Sequence, residues 1–197
     1  MNRSARTIAA AALTWTMLAS ASCSRNHAAP SYLFLWAGDV DGKASDFLAV
    51  IDAAPDSPRY GSIVASIPTG TAGTHPHHTE LEMPADGHLL ANGFGAGRTW
   101  LFDLTQPTRP EVITSFGDLA GFSHPHTFVR LPDGNVLTTF QYLAGAPAVH
   151  PSHAHGAETP ASTDGPEAQT GGLVEMDERG TVIRSGSAHD PAISDWT

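Results

Sequence analysis

The sequence predicts an all-β fold, and three observations support this class. From Tyr32 onward, short apolar runs alternate with turn residues, and no sustained period near 3.6 residues indicates a helix. The run FLAVID at residues 47–52 is echoed by WLFDL at 100–104 and LVEMD at 173–177. A recurrence of roughly fifty residues with several strands per unit is typical of propeller blades. The sequence therefore predicts part of a β-propeller, with about three to four blades.

Nine segments have the length and composition of strands. They are residues 32–36, 47–52, 63–67, 88–93, 99–103, 127–131, 135–140, 173–176 and 182–185. The Asp-Gly pairs at Asp86-Gly87 and Asp133-Gly134 each precede one of these strands. Because glycine supplies the positive φ that tight turns require, each pair predicts a hairpin turn.

Two loops resemble binding motifs but are better interpreted as turns. The glycine-rich segment 93–97 (GFGAG) leads into a predicted strand, whereas a phosphate-binding glycine loop leads into a helix N-terminus. Residues 39–42 (DVDG) lack the remaining oxygen ligands and the closing glutamate of an EF-hand loop. The first segment therefore predicts a tight turn or bulge, and the second a simple turn.

The N-terminus predicts a signal peptide over residues 1–22. Arg3 and Arg6 precede an apolar run at residues 8–18, and small residues follow at 19–22. The run is too short to span a bilayer, and the alternative is a first helix of the domain. Cys23, the single cysteine, either carries a lipid anchor or is incidental in a flexible mature N-terminus at 23–31. We expect export to the periplasm or lipid anchoring to the cell envelope, without a transmembrane helix in the mature chain.

Residues 32–197 form the predicted partial propeller, which contains a low-complexity loop at 143–172. This loop is rich in Ala, Pro, Gly, Ser and Thr and carries His150, His153 and His155. These histidines could bind metal at the surface, but a solvated insert is the better interpretation of such a composition. Since no finishing strand follows Asp190-Pro191, we expect an N-terminal fragment of a propeller.

The sequence argues against two functional classes, nucleic-acid binding and covalent catalysis. The formal net charge is -10, and the ten Lys and Arg residues form no basic stripe, so nucleic acid is not an expected partner. Ser123 adjoins His124, but adjacency in sequence is not a catalytic triad, and Cys23 precedes the folded domain. Covalent catalysis by a serine or cysteine nucleophile is therefore not supported.

Two histidine clusters point to metal chemistry. They are His75-Pro76-His77-His78 and His124-Pro125-His126, and neutral imidazole is a common ligand of copper and zinc. Adjacent strand residues point to opposite faces, so His77 and His78 can reach one metal only if the backbone bends. Glu80 and Thr127 could fix the imidazole tautomers, as metal-binding histidines commonly require. The alternative is a set of ordinary surface histidines with polar residues at strand ends.

Five segments together resemble the selenium-binding protein family, which includes methanethiol oxidase. They are residues 36–39 (WAGD), 46–52 (DFLAVID), 77–80 (HHTE), 91–98 (ANGFGAGR) and 123–127 (SHPHT). The resemblance implies a seven-bladed propeller, often exported in bacteria, with a copper centre held by histidines. It assigns His77, His78 and His126 as copper ligands and leaves His124 as the second choice.

The resemblance also implies an activity and two differences. The best-known activity of the family converts methanethiol, O2 and water to formaldehyde, hydrogen sulfide and hydrogen peroxide. The family completes its site with a histidine from the C-terminal part of the propeller, beyond Thr197, and its selenium-associated cysteine has no counterpart here. We therefore expect a copper-dependent oxidase of a small thiol, in which the copper centre itself is catalytic. The alternative is a non-catalytic propeller that binds metal or a protein partner.

Overall fold

The computed structural model describes residues 31–145 and 170–188, which form eleven strands. The strands are β1 (Tyr32–Ala37), β2 (Phe47–Asp52), β3 (Ile63–Pro68), β4 (Pro76–Thr79), β5 (His88–Gly93), β6 (Arg98–Asp103), β7 (Glu111–Phe116), β8 (Phe122–Arg130), β9 (Val136–Leu143), β10 (Gly172–Met176) and β11 (Val182–Ser187). Helical structure in these two ranges is limited to a 3-10 turn at Phe94–Ala96. The all-β prediction is confirmed.

The strands form three antiparallel sheets in chain order. The sheets are β1-β2-β3, β4-β5-β6-β7 and β8-β9-β10-β11. The three echoed segments lie on β2, β6 and β10, each next to the last strand of its sheet. By this correspondence β4 and β8 are the first strands of the second and third sheets. Successive antiparallel meanders of this kind are propeller blades.

The apolar core consists of two clusters, one on each face of the second sheet. Leu89 on β5 packs with the first sheet in a cluster that includes Leu48. Leu90, its neighbour, packs with the third sheet in a cluster that includes Phe128 and Met176. Adjacent strand residues point to opposite faces, and both faces of this sheet are covered. This is why β5 is apolar without alternation.

Two strands were not predicted from the sequence. β4 has only four residues, of which one is proline and two are histidines, so it carries no apolar alternation. β7 contains the β-branched run Val112-Ile113-Thr114, a strand signal that the prediction overlooked. β8 also begins at Phe122 rather than at Thr127, so the second histidine cluster lies within a strand.

The predicted turns are confirmed. Gly134 has a φ of 90° in the turn between β8 and β9, where Leu131 N donates to Asn135 O. The glycine-rich segment 93–97 links β5 to β6 through the 3-10 turn. Residues 39–42 form the predicted simple turn, in which Gly42 N donates a hydrogen bond to Asp39 O.

Several predictions fall outside the described residues. These are the signal peptide, Cys23, the three histidines of the low-complexity loop and the chain end from residue 189. The ends of the predicted loop differ slightly, because Leu143 closes β9 and Gly172 opens β10. Among residues 31–145 and 170–188, no helix has the length and hydropathy to cross a membrane.

Candidate metal centre

Three imidazoles from the two histidine clusters converge at one point. His77 and His78 lie on β4 and His126 lies on β8, and one ligand nitrogen from each falls within 4.8 Å of the others. The Nε2 atoms of His77 and His126 are 3.1 Å apart. The ring centroids of His77 and His78 are separated by 4.1 Å, and those of His78 and His126 by 4.6 Å. This arrangement can hold a metal ion.

A β-bulge brings the adjacent His77 and His78 together. Pro76 pairs with Gly93 and Thr79 pairs with Ala91, so three steps along β4 oppose two along β5. The extra residue breaks the alternation of side chains, as bulges near functional sites commonly do. The backbone bend that these two histidines need in order to reach one metal is therefore present.

The same device recurs on β8. Pro125 pairs with Phe140 and Phe128 pairs with Thr138, which again sets three steps against two. The residue before each proline is a histidine with positive φ, 57° at His75 and 58° at His124. By this correspondence, His77 and His126 occupy equivalent positions in the first strands of neighbouring blades.

His124 lies outside the three-histidine group. Its ring contacts Phe94 and Tyr142 at centroid distances of 5.4 Å and 5.1 Å, and its Nδ1 is 3.2 Å from Ser123 Oγ. Phe94 also contacts the His126 ring, at 5.4 Å. Phe94 therefore borders both His124 and the three-histidine group.

Of the two residues predicted to orient the imidazoles, Thr127 lies beside a histidine ring, whereas the Glu80 carboxylate bonds to other groups. Thr127 Oγ1 lies 3.3 Å from His126 Nδ1, within reach of the ring. Glu80 is buried, and its carboxylate accepts hydrogen bonds from Arg130 Nε at 3.0 Å and from Leu90 N at 2.9 Å. Glu80 thus joins the second sheet to the third through an ion pair.

A second group of potential ligands surrounds the same arginine. Asp86, His88 and Glu178 each offer an atom within 4.8 Å of the others. Arg130 Nη1 lies 3.5 Å from Asp86 and 3.3 Å from Glu178, so a guanidinium already neutralises these carboxylates. Burial lowers the pKa of Arg130, but hydrogen bonds and charges from its acidic partners, Glu80 first, raise it overall. We interpret this group as an ion-pair network.

The surroundings of His126 favour a neutral imidazole. Burial lowers the pKa of His126, and the neighbouring rings of His78 and His77 lower it further. Metal binding requires a neutral ring nitrogen, so the shift favours a state that can bind metal. His77 is exposed, which leaves the group accessible to small molecules.

Asp46 anchors the chain immediately before the first histidine cluster. Its buried carboxylate accepts hydrogen bonds from Thr74 N and Thr74 Oγ1, both at 2.6 Å, and from Asp39 N at 2.9 Å. Burial raises the pKa of Asp46, but these hydrogen bonds outweigh it and the net shift is downward. This role was not predicted, since the sequence signals it only by an aspartate at the start of an apolar run.

Comparisons of the sequence with known proteins found similar curated proteins. No protein-family model matches the chain. It is 33% identical over 106 residues to a methanethiol oxidase from Hyphomicrobium sp, covering 51% of this chain and 24% of that protein. It is 25% identical over 109 residues to selenium-binding protein 1 from Arabidopsis thaliana, covering 48% of this chain and 22% of that protein. The chain is similar in sequence to these proteins, over about half of its own length. The resemblance found in the sequence is confirmed.

A solved structure supports the fold of this chain. The X-ray structure of a hypothetical selenium-binding protein from Sulfolobus tokodaii matches with a TM-score of 0.55 and 17% identity, covering 79% of this chain and 34% of that chain. A methanethiol oxidase from Ruegeria pomeroyi is 28% identical over 115 residues, 54% of this chain and 26% of that protein. The chain therefore spans about a quarter of the length of the curated relatives that it matches.

Proposed function

We propose that this chain belongs to an exported, copper-dependent thiol oxidase resembling methanethiol oxidase. The observation that carries the proposal is the convergence of His77, His78 and His126 within 4.8 Å on two corresponding bulges. Relatives named methanethiol oxidase support the same reaction class. The proposed reaction consumes methanethiol, O2 and water and yields formaldehyde, hydrogen sulfide and hydrogen peroxide.

Three imidazole nitrogens are suitable ligands for copper, and the proposed reaction requires a redox-active metal. Imidazole nitrogens bind both copper and zinc. Zinc has no redox chemistry, whereas oxidation of a thiol by O2 requires electron transfer. Bound copper would supply that electron transfer. His77, His78 and His126 would hold the ion as neutral ligands, and the lowered pKa of His126 favours the required protonation state.

The surroundings of the three histidines suit a small, partly apolar substrate. The exposure of His77 gives access from solvent. The half-buried ring of Phe94 lies 5.5 Å from His77 and 5.4 Å from His126, centroid to centroid, and provides an apolar wall. A short alkyl thiol can place its carbon against this wall while its sulfur remains near the imidazoles.

Metal analysis of the purified protein, followed by a turnover assay, tests this proposal. We expect about one copper per chain and the release of sulfide and peroxide from methanethiol. His126→Ala should bind copper at least tenfold more weakly than the wild type, whereas His124→Ala should bind it with similar affinity, since His124 lies outside the three-histidine group. Absence of copper from the wild-type protein after copper-supplemented expression would refute the proposal.

A second candidate function is that of a non-catalytic propeller, which binds metal without turning over a substrate. The observation that favours it is the size of the group, since three rather than four ligand atoms converge among residues 31–145 and 170–188. Copper bound without release of sulfide or peroxide would support this function over the oxidase.

The export component of the proposal rests on the N-terminal pattern and has its own test. Fractionation of cells that produce the chain should place it outside the cytoplasm. Labelling with a lipid precursor, compared between the wild type and Cys23→Ser, decides whether Cys23 carries a lipid anchor. Recovery of the chain only in the cytoplasm would contradict export.

A further inference from the structure

Asn92 occupies the point where all three sheets meet. It lies on β5 of the second sheet and is completely buried. Its backbone carbonyl accepts a hydrogen bond of 2.8 Å from Trp36 Nε1, which belongs to β1 of the first sheet. The backbone of this residue therefore joins the first sheet to the second.

The side chain of Asn92 joins the two strands that carry the histidines. Its Oδ1 accepts a hydrogen bond of 2.6 Å from His78 N on β4. Its Nδ2 donates a hydrogen bond of 2.7 Å to Pro125 O on β8, immediately before His126. One buried amide thus connects the backbone at a ligand of one blade to the backbone beside a ligand of the next.

Only a side chain with a donor and an acceptor fits this position. His78 lies inside the bulge of β4, where the paired residues are Pro76 and Thr79, so its N–H relies on the amide oxygen. Aspartate offers acceptors but no donor at neutral pH, and leucine of similar size offers neither. Loss of either hydrogen bond would leave a buried polar group without its partner, which is unfavourable.

We propose that Asn92 is a positioning residue that sets the separation between β4 and β8, and hence the geometry of the three-histidine group. Its role in copper binding rests on the proposed function, but its role in spacing does not. Outer residues that orient metal ligands typically change metal affinity by about 10–100-fold when they are replaced.

Crystal structures of the metal-free wild type and of Asn92→Asp test the spacing directly. The substituted carboxylate can still accept from His78 N but cannot donate to Pro125 O. We expect β8 to retreat and the Nε2 atoms of His77 and His126 to separate beyond their 3.1 Å distance. An unchanged separation would overturn the proposal, whether or not the wild type binds copper.

Copper titration with a competing chelator tests the functional consequence. We expect Asn92→Asp to weaken copper binding at least tenfold and to change the Cu(II) EPR spectrum. Thr99→Val is the matched control, because buried Thr99 pairs with Asn92 across β5 and β6 and its hydroxyl has no partner among the described residues. The control should leave both copper affinity and spectrum unchanged.

A double-mutant cycle separates positioning from general destabilisation. If Asn92 acts by placing His126, Asn92→Asp should have little further effect on copper affinity in a His126→Ala background. An equal loss in both backgrounds would overturn the positioning role, even if Asn92→Asp also lowers the melting temperature. Failure of the wild type to bind copper would instead refute the proposed function and leave the crystallographic comparison to decide the spacing.

Discussion

The Nε2 atoms of His77 and His126 lie 3.1 Å apart although 49 positions separate the two residues. At this distance one nitrogen can donate a hydrogen only if the other offers a lone pair, so the pair favours at least one neutral ring. The contact joins corresponding bulges on β4 and β8, the first strands of neighbouring blades. Repetition of one local structure in two blades thus creates a shared site.

The first prediction concerns the division of roles among the histidines. His126→Ala should weaken copper binding at least tenfold, because it removes one of three converging imidazoles. His124→Ala, two positions earlier on β8, should change copper affinity less than threefold. Isothermal titration with Cu(II) checks both. Equal losses in the two variants would contradict the assigned roles.

The second prediction concerns the anchor at Asp46. Asp46→Asn should lower the free energy of unfolding by about 1–3 kcal/mol, because charge-assisted hydrogen bonds to buried Thr74 are weakened. Urea denaturation measures this loss. The exposed Asp56 provides the control variant Asp56→Asn, which should unfold at the wild-type urea concentration.

The third prediction follows from the lowered pKa of Asp46. A carboxylate whose pKa is lower in the folded state adds stability above its unfolded pKa, and this stability is lost as the pH falls through the folded value. The wild type should therefore lose more unfolding free energy than Asp46→Asn between pH 6 and about pH 3. Urea titrations across this range test the difference. Parallel pH profiles for the two proteins would show that Asp46 does not contribute.

The fourth prediction concerns the ion pair between the second and third sheets. Arg130→Met leaves the buried Glu80 carboxylate without its guanidinium partner and should cost about 3 kcal/mol of stability. The double variant Glu80→Gln with Arg130→Met should recover part of this loss, since it removes the buried charge as well. Additive losses in urea denaturation would contradict the pairing.

The fifth prediction concerns close packing beside the first histidine cluster. A Cβ at Gly93 would lie 2.6 Å from Thr74 Cβ and 2.9 Å from Thr74 O, so Gly93→Ala must displace the start of β4. Since Thr74 lies two residues before β4, which carries His77 and His78, we expect a loss of about 1–3 kcal/mol in stability and weaker copper binding. Gly186→Ala is the control, since a Cβ there meets no atom within 4 Å. Wild-type copper affinity in Gly93→Ala would argue against this coupling.

The sequence by itself determined the fold class, most of the strands and the residues that form the candidate site. Apolar periodicity and Asp-Gly turns are local signals, so β2, β5, β6, β10 and the turn at Gly134 could be identified from short windows. The two histidine clusters were visible for the same reason. β4 was missed because a short proline-containing strand depends on its neighbours for pairing.

Only the tertiary structure decided which groups meet. The bulges that turn His77, His78 and His126 toward one point depend on strand register, which no local pattern specifies. The same holds for Glu80, which pairs with Arg130 fifty positions away. Burial adds the final constraint, because polar groups removed from water must find partners wherever the fold places them. Asn92, which links three sheets, has its role for that reason.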